Sequence, residues 1–193
     1  QEPDYVKALE LFRRLTEEFA GGETRYYDQA VAQIKQITDP TISVGVSNIF
    51  LPESELQFAL EARNLRQADF ALYKIDLTRD VRFTKNLEED EGDADVEGWI
   101  QKVPVAGRAP VKSWSKQIDS KGDHKPYSEQ VRIEGKLPPG AYLLEARSGS
   151  LSARDLVLGA VLHGDDGRLG AAPSQGLDQL RQRRILVQIL QVE

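Results

Sequence analysis

The hydrophobic pattern of this chain has two periods. Val6, Leu9, Phe12, Leu15 and Phe19 recur at spacings of three and four, with Glu10, Arg13, Arg14, Glu17 and Glu18 between them. That is a helix with one apolar stripe. Asp4 is placed to cap it, and Gly21-Gly22 ends it. Tyr27, Ala30, Val31, Ile34 and Ile37 predict a second helix over Thr24 to Ile37. Asp39-Pro40 then breaks the helix, because the residue before proline avoids the α region. Beyond that point the period falls to two.

Ile42, Val44 and Val46 alternate with small polar residues and predict a first strand. Leu51-Pro52-Glu53-Ser54 reads as a turn. Leu56, Phe58, Leu60 and Ala62 define a second strand, which Arg63-Asn64 closes. Asp69 to Leu77 is a third, with Phe70, Leu72 and Lys74 opposite Ala71, Tyr73 and Ile75. Thr78 to Lys125 has no period. It holds a helical turn at Asp80 to Asn86, an acidic run from Glu88 to Asp95, and Trp99 and Trp114 in short apolar stretches around Pro104 and Pro110. Tyr127 to Ile133 resumes the alternation.

The clearest hairpin follows. Pro138-Pro139-Gly140 is a turn, since proline fixes φ and glycine tolerates positive values. Ala141 to Arg147 reads as a half-buried strand, with Tyr142, Leu144 and Ala146 on one face and Leu143, Glu145 and Arg147 on the other. Ser148-Gly149-Ser150 turns the chain into a second apolar run, which Val157 to His163 continues. Asp165-Asp166-Gly167 is a turn, Gly170 to Gly176 a loop, and Ile185 to Val192 a last strand or a helix, with the strand favoured. Short strands about ten residues apart, joined by turn chemistry, predict an antiparallel sandwich.

The expected fold class is therefore mainly β: an antiparallel β-sandwich of macroglobulin or immunoglobulin-like type, preceded by an N-terminal α-helical pair. The boundaries are 1–38 for the pair and 39–193 for the sandwich, with an acidic insertion around 86–126. Phe58, Leu60, Tyr73, Tyr142, Leu144 and Leu156 are the expected core. A single helical pair cannot bury its apolar face alone, so it is expected to pack on the sandwich or on upstream helical repeats.

Composition narrows the function classes. The 193 residues carry a net charge of −6 and contain no cysteine and no methionine. Disulfides, thiolate zinc sites, a cysteine nucleophile and an internal thioester are excluded within this chain. The acidic balance argues against nucleic acid as a partner. The missing initiator methionine leads us to expect a start inside a longer or processed product. Any export signal or membrane anchor would lie with that missing N-terminus.

Asp93, Asp95 and Glu97, followed by Gly98 and Ile100, match part of a calcium loop, where oxygen ligands flank a glycine turn. The closing bidentate glutamate is replaced by Pro104 and no flanking helices are expected, so the run reads as a solvated acidic loop. No metal or other cofactor is expected. His124 and His163 are too far apart in sequence for a zinc motif, and no nucleophile elbow accompanies His163-Gly164-Asp165. Arg181, Arg183 and Arg184 are too few for a nucleic-acid arm. Trp99 and Trp114 could line an interaction surface, for carbohydrate or protein, or serve as core and interface aromatics. No catalytic residue is identified, and a non-enzymatic role is expected.

Several segments stand in a familiar order. They are Gln33-Ile34-Lys35-Gln36-Ile37-Thr38-Asp39-Pro40, then Phe50-Leu51-Pro52, then Leu60-Glu61-Ala62-Arg63-Asn64-Leu65 and Phe70-Ala71-Leu72-Tyr73-Lys74-Ile75-Asp76-Leu77. Leu137-Pro138-Pro139-Gly140-Ala141-Tyr142-Leu143-Leu144-Glu145-Ala146 completes the set. Together they resemble the N-terminal region of bacterial alpha-2-macroglobulin-like proteins, where tetratricopeptide-type helices can precede the first macroglobulin-like domain. The resemblance spans about Gln33 to Leu158. It implies a scaffold module of a large, exported, protease-trapping endopeptidase inhibitor of the periplasm, cell envelope or exterior. Its partners would be the remaining domains of the same polypeptide and, through them, a target protease. The family's reactive thioester and bait region have no counterpart in this chain. The alternative is an extracytoplasmic sandwich binding carbohydrate or protein, with calcium assisting at the acidic loop.

Overall fold

The computed structural model describes residues 3–47, 50, 54–80, 96–119, 122–159, 161–162 and 169–170. Helix α1 (Tyr5–Glu18) starts at Asp4, whose carboxylate accepts a hydrogen bond from the Lys7 N–H at 3.0 Å. Helix α2 (Tyr27–Thr38) follows, and Leu9, Ala30 and Ile37 are buried. Much of the predicted apolar face stays in water, however, with Val6 and Phe19 each 43% exposed.

Two antiparallel sheets follow. The first has the order β1 (Thr41–Gly45), β2 (Leu56–Arg63), β5 (Tyr127–Ile133). The second has the order β4 (Lys112–Gln117), β3 (Gln67–Ile75), β6 (Gly140–Ser148), β7 (Leu151–Gly159). The chain leaves the second sheet after β4, places β5 beside β2, and returns for β6 and β7. This Greek-key path is that of an immunoglobulin-like sandwich. A short ladder joins β8 (Val161–Leu162) to β9 (Leu169–Gly170).

The register decides the core. Phe58 and Leu60 on β2 face Phe70 and Leu72 on β3 and Tyr142 and Leu144 on β6, all at most 2% exposed. Phe70 stacks on Trp114 with ring centres 5.3 Å apart, and Phe58 is tilted against Phe70 at 5.4 Å. Burying one such side chain contributes about 1.5–3 kcal/mol. Tyr142 also donates its hydroxyl to the Pro138 carbonyl at 2.6 Å. A tyrosine at the start of this strand, bonded a few residues upstream, is the tyrosine corner of such sandwiches. With no cysteine to link the sheets, apolar packing and this hydrogen bond hold that corner.

Both seams between the sheets are bridged. After β1, the Val46 N–H donates to Asp155 Oδ2 at 2.6 Å and the Phe50 N–H donates to the Leu158 carbonyl at 2.8 Å. On the opposite side Lys116 Nζ of β4 reaches Glu129 Oε1 of β5 at 2.9 Å. At the β6–β7 turn Ser148 pairs with Leu151, and Gly149 has φ +58°. A glycine at the first central position is what a two-residue II′ turn requires.

Four expectations are corrected. The stretch read as irregular contains helix α3 (Val96–Lys102) and the whole of β4. KSWSKQ offers one large apolar residue in six, and lysines suit an edge strand. The β6 strand is not half-buried: Leu143 is 0% and Glu145 1% exposed on the face expected to be polar. Tyr73 and Leu156 belong to that second face, around Ile75, Val103, Val105 and Leu143, rather than to the inner core. The last strand stops at Gly159, and Val161–Leu162 pairs separately. His163, the Asp165 turn, the Arg181 to Arg184 cluster and the expected last strand lie outside the described residues.

Candidate functional site

Polar side chains converge where β2 ends beside the helices. Asn64 follows β2 with φ +57°, a left-handed conformation that asparagine tolerates better than most residues. Its Nδ2 donates to the Ile37 carbonyl at 2.7 Å and to the Asp39 carbonyl at 3.2 Å. Arg63 Nη1 donates to the Gln36 carbonyl at 3.1 Å, and its guanidinium lies 4.8 Å from the Tyr5 ring centre. The last carbonyls of a helix have no partners within it. Here Lys35 is served by the Asp39 N–H, and Gln36 and Ile37 by side chains of the sandwich. The arginine charge also complements the negative end of the α2 dipole.

His124 completes the corner. It has φ +58°, and its Nδ1 lies 2.8 Å from Asn64 Oδ1. Because the Asn64 amide nitrogen faces two carbonyls, its oxygen faces the ring, and His124 Nδ1 must carry the proton. The sequence marked Asn64 as a strand end and His124 as a lone histidine. An asparagine just past a strand was a legible turn signal; its partners 25 to 60 residues away were not.

A second polar cluster lies on the outer face of the four-stranded sheet. Arg154 donates Nε at 2.8 Å and Nη2 at 2.6 Å to Glu145 Oε1, and Nη1 to the carbonyls of Gln101 at 2.9 Å and Val103 at 3.0 Å. Arg147 Nε lies 2.8 Å from the other carboxylate oxygen, which holds the Arg147 guanidinium above its usual pKa. Nearby, Arg108 grips Asp80 through two hydrogen bonds of 2.7 and 2.5 Å. That grip holds the Asp80 carboxyl below the usual range. Tyr127 is pushed up to about 12, by burial first and then by its hydrogen bond to Glu129. These groups are paired to each other, as structural ion pairs are.

Trp114 packs on the inner core through Phe70, whereas Trp99 packs on the outer-face cluster. The two tryptophans therefore sit on opposite faces of one sheet and are not brought together. Asp93 and Asp95 lie outside the described residues; Glu97 is in α3, with its side chain not described. Among the described residues there is no group of three or more His, Cys, Asp or Glu side chains placed to hold a metal ion. No described helix is long and apolar enough to cross a membrane.

No protein-family model matches the chain, and no curated protein matches it. Among solved structures it is similar to the CARDB domain of a Pyrococcus furiosus protein, crystallised in complex with di-metal ions. The two are 9% identical with a TM-score of 0.32, over 63% of this chain and 92% of that one. No ligand carries over at that distance. The chain is a β-sandwich domain with two N-terminal helices, established by its own strand order and register.

Proposed function

We propose that this chain is a non-catalytic structural and interaction module that seats a helical pair on a sandwich for neighbouring domains to pack against. The observation that supports this most is the corner at Arg63 and Asn64. The sandwich caps the last turn of α2, which ties the helical pair to it at that corner. The pair still exposes Val6, Leu11, Phe19, Tyr26 and Val31, with Leu11 57% exposed. Exposed large apolar side chains on both helices of the pair suit contact with a further protein element.

In its finer form the module belongs to a bacterial alpha-2-macroglobulin-like protease trap in the periplasm, envelope or exterior. The ordered family-like segments from Gln33 to Ala146 support that form. A carbohydrate-binding alternative has less support, because Trp99 and Trp114 share no face. The test is made on the full reading frame that encodes this chain. The expressed product is mixed with endopeptidases, and cleavage of casein and of a small chromogenic peptide is followed. Casein cleavage is expected to fall while peptide cleavage persists, as for a caged protease; the 193-residue chain alone should alter neither. Equal activity on both substrates with the full product, or a reading frame that stops just after Glu193, would overturn the protease-trap form.

A further inference from the structure

The outer face of the four-stranded sheet carries Ile75 and Leu143, buried, with Tyr73 and Leu156 packed beside them. Among the described residues this apolar surface is covered by α3 and the residues following it as far as Arg108. The cover has little stability of its own. Seven residues are too few for an isolated helix to persist in water. Its own Val103 and Val105 are buried against the sheet and its Trp99 is partly buried.

Two arginine pairs attach it among the described residues. Arg154 bridges Glu145 of β6 to the Gln101 and Val103 carbonyls, and the Gln101 side chain returns a bond to the Arg154 carbonyl at 3.4 Å. Arg108 closes the far end on Asp80. A buried ion pair is a weak source of net stability, and apolar residues of the same shape often serve as well. Its best-attested role is to fix one arrangement among competitors. Here a charged pair, with the Arg154 side chain 13% and the Glu145 side chain 1% exposed, stands between sheet and cover.

We infer that the segment from Val96 to Arg108 is a releasable strap, which opens as a unit from the outer sheet face while the sandwich stays folded, with Arg154 as its fastening. The inference is independent of the protease-trap reading. It assigns the apolar face of β3, β6 and β7 to a closed state and an open state.

Native-state hydrogen exchange on the whole chain tests it. In the wild type, the amides of Ile100 to Lys102 should exchange at least tenfold faster than those of β3 and β6, corrected for intrinsic rates. Their exchange should depend less on low urea than that of β3 and β6, because the opening exposes less surface than global unfolding. Val131→Ala weakens the inner core, which both strap states share. It should speed β3 and β6 by about tenfold and leave the strap amides unchanged. Arg154→Met should speed the strap amides by about tenfold. Glu145→Gln with Arg154→Met, which leaves no buried charge behind, should do the same if the single variant folds poorly. If strap and sheet exchange through one opening and respond alike to Val131→Ala, the strap is part of the cooperative core and the inference fails. Strap amides unmoved by either Arg154 variant would remove Arg154 as the fastening.

Discussion

Both faces of the β4-β3-β6-β7 sheet carry buried side chains, yet they are built differently. On β6, Leu143 and Leu144 are adjacent and each is 0% exposed. Leu144 points into a layer filled from both sheets, with Phe58, Leu60, Phe70 and Leu72 fixed by strand register. Leu143 points outward, under a short helix and two valines held by arginine bonds to carbonyls. Equal exposure therefore hides unequal support. A side chain between two sheets has neighbours that cannot move without breaking ladders, whereas one under a strap has neighbours that can settle.

The largest expected effect tests that contrast directly. Leu144→Ala should cost about 4–5 kcal/mol, the high end for a buried leucine, because the surrounding strands cannot collapse onto the cavity. Leu143→Ala should cost about 2 kcal/mol, because the strap can follow the vacated space. Urea titration reads both as shifts in midpoint at constant slope; equal costs would erase the distinction between the faces.

Asn64→Gly keeps the left-handed backbone accessible and removes the amide that ties α2 to the sandwich. It should cost about 1–2 kcal/mol and loosen the helical pair. Faster proteolysis at 38–41, with sheet exchange slower than that cleavage, is the expected reading; unaltered cleavage would show that the pair is docked by other contacts. Tyr142→Phe loses only the bond to Pro138, at about 1 kcal/mol, and should lower the melting temperature without changing which amides open first.

The smallest effect is that of acid. The folded-state pKa of Asp80 is depressed, so its pairing contributes stability that is present above the unfolded carboxylate value of about 4. That contribution is lost as pH falls through the lower folded value. The end of the strap at Arg108 should loosen over that range. The same titration on Asp80→Asn should lack this limb, and persistence of the limb would assign it to other carboxylates.

Much of this architecture could be read before any coordinates. The two helices, the strands β1, β2, β3, β5 and β6 and the β6–β7 hairpin follow from periods of 3.6 and two and from Asp39-Pro40 and Pro138-Pro139-Gly140. Misreadings fall where local pattern and final environment differ. Ser113, Ser115, Lys112 and Lys116 made β4 look irregular, because an edge strand need not alternate strongly. Glu145 and Arg147 made β6 look half-exposed, because a charged residue can be buried once a partner such as Arg154 meets it. The tyrosine corner was present in the Pro-Pro-Gly-Ala-Tyr run, but its hydrogen bond becomes visible only when Tyr142 Oη is placed on Pro138.

The sequence by itself determined most of the helical and extended segments, α3 and β4 apart, and which side of most strands is apolar, since those depend on neighbours a few residues away. Only the tertiary structure decided which sheet each strand joined, what covered the second face of β3 and β6, and how Asn64 and Arg63 cap a helix ending more than 20 residues upstream. Those outcomes rest on contacts between residues distant in sequence, and no local period records which distant surface will arrive to share them.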